Sequence, residues 1–325
     1  MYGTLTLAMP QLYDLAIAWN WEHDADFVTL LDAACRARAL SLLQITPPSL
    51  AATLDRLQTG DLVLRALLDR AWDIDEAFYP LADWASANGV RIFNDRPIAL
   101  RAWDKATMHL EFITAGLHTP YTIVLSPFNE APTPLPPDLT PLGERFIVKP
   151  AHGGGGTGVQ RDLATWMQIQ HIRQEFPNDK YLVQAWIRVH PTESGPAWFR
   201  ILFALGEVFP FWWNVQTHVY RPVTAVEEAR YGLAPLREVV RTIAHVSRLD
   251  IFSTEIAQRV DDRVFVSVDY VNDPIDLRLQ SKAIDGVPDA AVRAIADRIA
   301  EYTRSGLDKG RRTEAAGIPA NLRQW

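Results

Sequence analysis

Lys149 closes the apolar run Phe146-Ile-Val-Lys-Pro150, and five glycines follow within the six residues 153–158. A lysine set among apolar neighbours needs an anionic partner, because an unpaired buried ammonium is costly. Glycine at that density costs backbone entropy, so the segment must have a use for bare backbone. Successive N–H groups that can approach an anion closely, beside a lysine point charge, make phosphate binding the chemistry these residue types serve. A structural salt bridge for Lys149 and a flexible solvent-exposed loop are the plainer alternatives.

Gly153, Gly155 and Gly158 satisfy G-x-G-x-x-G, but the dinucleotide fingerprint needs a helix directly after the turn. Val159-Gln-Arg161 reads instead as a return strand, with the next helix starting near Asp162 as its N-cap. The P-loop pattern demands lysine where Val159 stands. What the spacing leaves is a strand–glycine loop–strand hairpin, a flap that closes over phosphates, with the lysine on the strand before it.

Further motifs follow this one in order. Ile92-Phe-Asn-Asp and Ala102-Trp-Asp-Lys105 lead into a helix and then Ala115-Gly-Leu-His-Thr-Pro120. After the flap come Tyr181-Leu-Val-Gln-Ala-Trp-Ile187, the hairpin strand Trp198-Phe-Arg-Ile-Leu-Phe-Ala204, and the acidic positions Glu255 and Asp269-Tyr-Val-Asn272. Over roughly residues 90–272 this series resembles the ATP-grasp superfamily, in particular the glutathione-synthetase-like and ribosomal-protein-modifying (RimK-type) carboxylate–amine ligases.

The resemblance implies ATP and Mg2+ as cofactors, and roles for individual residues. Lys149 and Lys105 would contact phosphates, with His152, Gly153, Gly154, Gly155, Gly156, Thr157 and Gly158 as the flap. Gln184, Ala185, Trp186 and Ile187 would form the adenine strand, reading the base mainly through the backbone of Ala185 and Ile187, with Glu193 on the ribose. Arg200 would stabilise the transferred phosphoryl group, and Arg278 would clamp a substrate carboxylate. Glu255, Asp269 and Asn272 would hold Mg2+, which takes hard oxygen ligands. The family pairs its acid and asparagine two apart, on one strand face. Here Asp269 and Asn272 are three apart, so either a bulge restores a common face or Asp273 replaces one ligand.

Around these residues the chain alternates strands and helices. Leu15–Trp19, Leu40–Ile45, the run from Leu62 and Val90–Phe93 read as strands, with helices over Ala25–Arg38, Ser49–Leu57 and about 75–88. That alternation predicts a small parallel α/β domain. Residues 131–141, with five prolines, read as a stiff connector. Helices near 163–175, 233–247 and 288–304, among short strands, predict an α+β lobe pair. The expected fold is thus α/β and α+β, an ATP-grasp fold preceded by a small parallel domain. Its expected divisions are 1–125, 126–195 with the flap, 196–305 with the metal site, and a tail over 306–325.

Composition bounds the rest. A 48% hydrophobic, 22% charged chain of 325 residues reads as globular with two or three subdomains. Residues 1–20 carry no basic n-region of a signal peptide, and Cys35 is the sole cysteine, so a reducing cytoplasm is expected. The net charge of −7 argues against nucleic acid and anionic membranes as partners. A carboxylate and an amine, small-molecule or peptide, are the implied substrates, and a homodimer stays open. Trp198, Phe199, Phe211, Trp212, Trp213 and Tyr220 are either core or the lining of an aromatic-tolerant pocket, and Trp19–His23 is a second candidate substrate-facing segment. An ATP-grasp kinase and a non-catalytic nucleotide-binding module are the alternatives to a ligase.

Overall fold

A computed structural model describes residues 9–315, with side chains through Leu307. The chain divides into two compact units. One comprises residues to Arg96 together with those from Asp276 onward, and the other is Pro97–Ile275.

The first unit is built on a four-stranded parallel sheet of β1 (Leu15–Ala18), β2 (Leu42–Ile45), β3 (Ala66–Asp69) and β4 (Arg91–Phe93), in the order β2-β1-β3-β4. All four residues of β1 are fully buried, the continuous apolar run that a two-sided parallel strand requires. Crossovers are made by α1 (Ala25–Ala37), α2 (Pro47–Thr59) and α3 (Tyr79–Ala87). Helix α1 buries Phe27, Val28, Leu31, Ala34 and Cys35, one face of a 3.6-residue period. Helix α2 starts at a Thr46–Ser49 capping box with Pro47 in its first turn, and ends at Gly60 in the left-handed region, φ 79°. The run from Leu62 divides at Arg65: Leu62–Leu64 pairs with Gln11–Tyr13 as a short parallel ribbon, and Ala66 begins β3.

The C-terminal helix, Asp289–Ala315, packs on α1. It continues past the end expected near residue 304, so 306–315 is helical and not the start of a tail. Thr303 and Leu307 extend the buried stripe of Val292, Ile295, Ala296, Ile299 and Ala300, which explains the longer helix. Residues 316–325 of the expected tail lie outside the described residues.

Besides a two-stranded hairpin, Pro191–Thr192 with Gly195–Pro196, the second unit holds two large antiparallel sheets. The smaller contains β5 (Thr122–Leu125), β6 (Phe146–Pro150), β7 (Gln160–Leu163) and β8 (Tyr181–Ala185), in the order β5-β8-β6-β7. Its core is Leu125, Leu142, Phe146, Val148, Ile169, Tyr181 and Val183. The larger sheet contains β9 (Trp198–Ala204), β10 (Glu207–Trp213), β11 (Tyr220–Pro222), β12 (Ile251–Gln258) and β13 (Phe265–Asn272), in the order β11-β10-β9-β12-β13. The amphipathic helix Pro235–Ser247 covers it with Leu236, Val240, Ile243 and Ser247. The helix Lys105–Thr114, here α4, contacts both β8 and β13. The unit boundary at 96/97 therefore differs from the expected 125/126, because α4 packs on the second unit's sheets and β5 pairs within one of them.

In the first unit Arg70 grips Asp24 through Nε–Oδ2 at 3.0 Å and Nη2–Oδ1 at 2.6 Å, with both side chains buried. Removing one partner leaves a buried charge uncompensated. Arg70→Met is expected to lower unfolding free energy by about 3–5 kcal/mol, measured by urea denaturation.

Candidate functional site

Strands β6 and β7 pair antiparallel, Val148 opposite Gln160 and Phe146 opposite Leu163, so the glycines do sit at the tip of a hairpin. The next helix, Trp166–Ile172, is capped by Thr165 with Gln168 completing a capping box, not by Asp162. Asp162 instead lies within β7 at φ 60°, where one extra residue separates the two ladder pairs. Gly153–Gly156 and Thr157 are exposed. Gly158 is the position that needs glycine most plainly: at φ 71° an added Cβ would fall 2.8 Å from the Phe176 ring and 2.9 Å from Pro150.

The flap's base is held on both sides. Lys105 donates from Nζ to the Gly153 carbonyl, and its N–H donates to the Ala151 carbonyl at 3.0 Å. His152 donates its backbone N–H to Asp179 Oδ2 at 2.8 Å, and its Nδ1 lies 2.8 Å from Asp179 Oδ1. The hydrogen bond to Asp179 raises the His152 pKa. These contacts make His152 an anchor of the loop.

Lys149, on β6, is 7% exposed. Its Nζ donates to the Val268 carbonyl at 3.1 Å and lies 5.2 Å from the centre of the Tyr270 ring. Burial pushes its pKa down to about 8, with Lys105 adding to the fall and Asp269 and Glu255 opposing it.

Those two carboxylates belong to a ladder across three strands. Arg200 on β9 is directly opposite Glu255 on β12, which is opposite Asp269 on β13. Arg200 Nη1 donates to Glu255 Oε1 at 2.9 Å, and Nη2 to Ser253 Oγ at 3.1 Å. Trp198 Nε1 donates to the other Glu255 oxygen at 3.0 Å. Burial raises the Glu255 pKa despite Arg200. Burial also pushes Asp269 upward, but Lys149, Lys105, the Asn272 amide and Arg200 together hold it below the ordinary carboxylate value.

The three-residue spacing of Asp269 and Asn272 is resolved by a bulge. Ser253 pairs with Asn272 and Glu255 with Asp269, so two steps on β12 match three on β13. Asn272 Nδ2 then reaches Asp269 Oδ2 at 3.0 Å. Among the described residues there is no group of three or more His, Cys, Asp or Glu fit to hold a metal. Here the hard donors are two carboxylates and an amide.

The remaining sequence candidates divide. Gln184 is buried, with Nε2 donating to Thr122 Oγ1 and to the Tyr270 hydroxyl, each at 2.9 Å. The Ala185 N–H donates to the Tyr121 carbonyl at 2.9 Å. Trp186 is 49% exposed. Glu193 pairs with Arg230 at 2.7 Å on the surface. Arg278 belongs to the other unit, where Asp276 and Asp285 bind its guanidinium. Of the aromatic group, Phe199, Phe211, Trp212, Trp213 and Tyr220 are buried core; Trp198 reaches Glu255, and Trp213 lies 5.1 Å from the Arg200 guanidinium. Sequence reasoning missed His109 and Tyr270. Their signal was present, because His109 is one helical turn beyond Lys105 and Tyr270 lies between the two metal candidates.

Gly158→Ala is expected to destabilise the protein by about 1–3 kcal/mol, since it adds overpacking to a strained φ. Gly154→Ala, with open space around its Cβ position, is expected to be near neutral in the same denaturation assay.

No protein-family model matches the sequence, and no curated protein does. Solved structures do match by fold. A RimK-domain ATP-grasp protein from Sphaerobacter thermophilus superposes with a TM-score of 0.59 at 18% identity, covering 89% of this chain and 98% of that one. D-alanine–D-alanine ligase from Bacillus anthracis gives 0.61 at 12% identity, covering 93% and 99%. The ATP-grasp ligase PsnB, complexed with its precursor peptide PsnA2 and AMPPNP, gives 0.57 at 12% identity, covering 92% and 99%. Flap hairpin, sheet order and these superpositions agree: this chain has the ATP-grasp fold.

Proposed function

We propose that the protein is an ATP- and Mg2+-dependent ligase that joins a carboxylate to an amine. In this reading the carboxylate attacks the γ-phosphate to give an acyl phosphate, and the amine then displaces phosphate to form an amide. The observation that carries the reading is the half-buried Arg200–Glu255–Asp269 ladder set against the buried Lys149, at the root of a glycine flap. A buried lysine beside half-buried charges of both signs suits an anionic polyphosphate and its counter-ion better than a purely structural role.

Lys149 and Lys105 would neutralise phosphate oxygens, with flap N–H groups closing over them. On binding, the Lys105 ammonium would exchange the Gly153 carbonyl for a phosphate oxygen. Arg200 would oppose the charge that develops on the transferred phosphoryl group. Glu255, Asp269 and the Asn272 side-chain oxygen fit Mg2+, which takes few protein ligands and completes its shell with phosphate and water. When bound, Mg2+ supplies charge neutralisation and orients the phosphates. Ligase chemistry is supported by the fold neighbours, among them a D-alanine–D-alanine ligase solved with ATP and PsnB solved with Mg and ADP. A peptide or small-molecule carboxylate is the proposed acceptor class, and a cytoplasmic location the proposed setting.

The reading is tested by ADP release from Mg-ATP against pooled carboxylic acids, with and without pooled amines. ADP that requires both pools supports it; ADP formed with carboxylates alone, or with neither pool, counts against it. Asp269→Asn is expected to lower turnover by about 100-fold or more.

A second expectation concerns pH. Free Lys149 titrates near 8, and a bound phosphate raises that value, so above pH 8 nucleotide binding takes up a proton. Affinity for Mg-AMPPNP should therefore be full below pH 8 and weaken above it, by up to about tenfold per pH unit. Lys149→Arg, charged throughout, should flatten that slope in calorimetric titrations.

A further inference from the structure

Strand β13 is doubly irregular. Between Glu255–Asp269 and Ser253–Asn272 it carries one extra residue, and between Glu255–Asp269 and Ile256–Ser267 another. A strand with two bulges in eight residues has lost regular ladder hydrogen bonds and needs other fixation. Thr254 supplies part of it, donating from Oγ1 to the Asp269 carbonyl at 2.9 Å. Tyr270, which sits inside the first bulge and is fully buried, supplies more.

The Tyr270 hydroxyl accepts from Gln184 Nε2 at 2.9 Å and lies 2.8 Å from His109 Nδ1. Burial pushes the His109 pKa down to about 4, so its ring is neutral at pH 7. A hydroxyl that accepts from an amide has its own proton to give. Tyr270 therefore donates to an unprotonated Nδ1, and His109 carries its hydrogen on Nε2. The Tyr270 hydroxyl thus both accepts and donates, as a buried polar group requires. The ring packs edge-on against Phe112 at 5.4 Å and lies under the Lys149 ammonium at 5.2 Å. One side chain thus joins α4, the β8 strand beside the flap strand, the acid-bearing strand and the buried lysine.

Resting on the metal ligands proposed above, we infer that Tyr270 is the positioning residue of the metal site. Held by His109 and Gln184, it keeps the β13 bulge that places Asp269 and Asn272 on one face. Neither Tyr270 nor His109 need touch the cation; they act through the backbone that carries its ligands, as partners behind first ligands commonly do.

The test is the affinity of AMPPNP with Mg2+ and with EDTA, alongside thermal denaturation. In the wild type, Mg2+ should tighten binding, and Asp269→Asn should remove that gain. Tyr270→Phe, which keeps the ring, should hold the EDTA affinity within about twofold while losing roughly tenfold of the Mg2+ gain. The double variant should lose no more than Asp269→Asn alone. Should Tyr270→Phe not fold, His109 gives the same test: His109→Leu removes the acceptor and should lose the gain, whereas His109→Asn restores an oxygen near the Nδ1 position and should recover it.

A Mg2+ gain that survives both Tyr270→Phe and His109→Leu, whatever their melting temperatures, overturns the positioning role and leaves the metal ligands standing. A wild type that binds AMPPNP equally with Mg2+ and EDTA overturns the metal assignment itself, and the positioning role with it.

Discussion

A buried ammonium is the constraint on which the centre of the second unit depends. Holding Lys149 at about 8 instead of 10.5 disfavours its charged form by about 3 kcal/mol. The surroundings answer that cost from several elements at once. The Val268 carbonyl and the Tyr270 ring come from one sheet, Asp269 and Glu255 lie within its field, and the lysine itself comes from the other sheet. Charge on Lys149 is therefore tied to the packing of β13 against β6. The same coupling read from the other side keeps Asp269 ionised despite its burial.

The flap obeys a different rule. Its strands are fixed by ladder hydrogen bonds and its root by paired side chains: Lys105 on Gly153, His152 on Asp179, and Lys180 on Asp104 at 2.5 Å. Between those anchors Gly153–Gly156 have little around the position of a Cβ, so most of the run is glycine for backbone conformation and access. Gly158 is different, since it is required by its closeness to Phe176 and Pro150. One glycine-rich segment therefore contains two physical requirements, one for an open loop and one for tight packing where the loop rejoins the sheet.

Local signals carried much of this into the sequence. The apolar strand ending in Lys149, the glycine density and the missing helix after them specified a hairpin. The buried run of β1 and the period of α1 specified a parallel α/β layer. Element ends were less legible. The Thr165–Gln168 capping box outcompeted Asp162 as a helix start, and Leu307 prolonged a buried stripe that the charged residues around it obscured. The partition into units was not legible, because it depends on which strands pair, and Thr122–Leu125 pairs with residues nearly sixty positions later.

The sequence by itself determined which residue types were available for phosphate and cation, since lysine, glycine and carboxylate chemistry is intrinsic to the side chain. It also determined that Asp269 and Asn272, three apart, could not share a face on a regular strand. Tertiary structure decided that they do, because a strand's register is set by its partner, and β12 accommodates the extra residue. It likewise decided that Arg278 binds two aspartates of its own unit, that Glu193 binds Arg230, and that His109 meets the Tyr270 hydroxyl. The Glu193–Arg230 and His109–Tyr270 contacts join residues 37 and 161 positions apart, which no local pattern encodes, whereas the aspartates on Arg278 lie within seven positions of it.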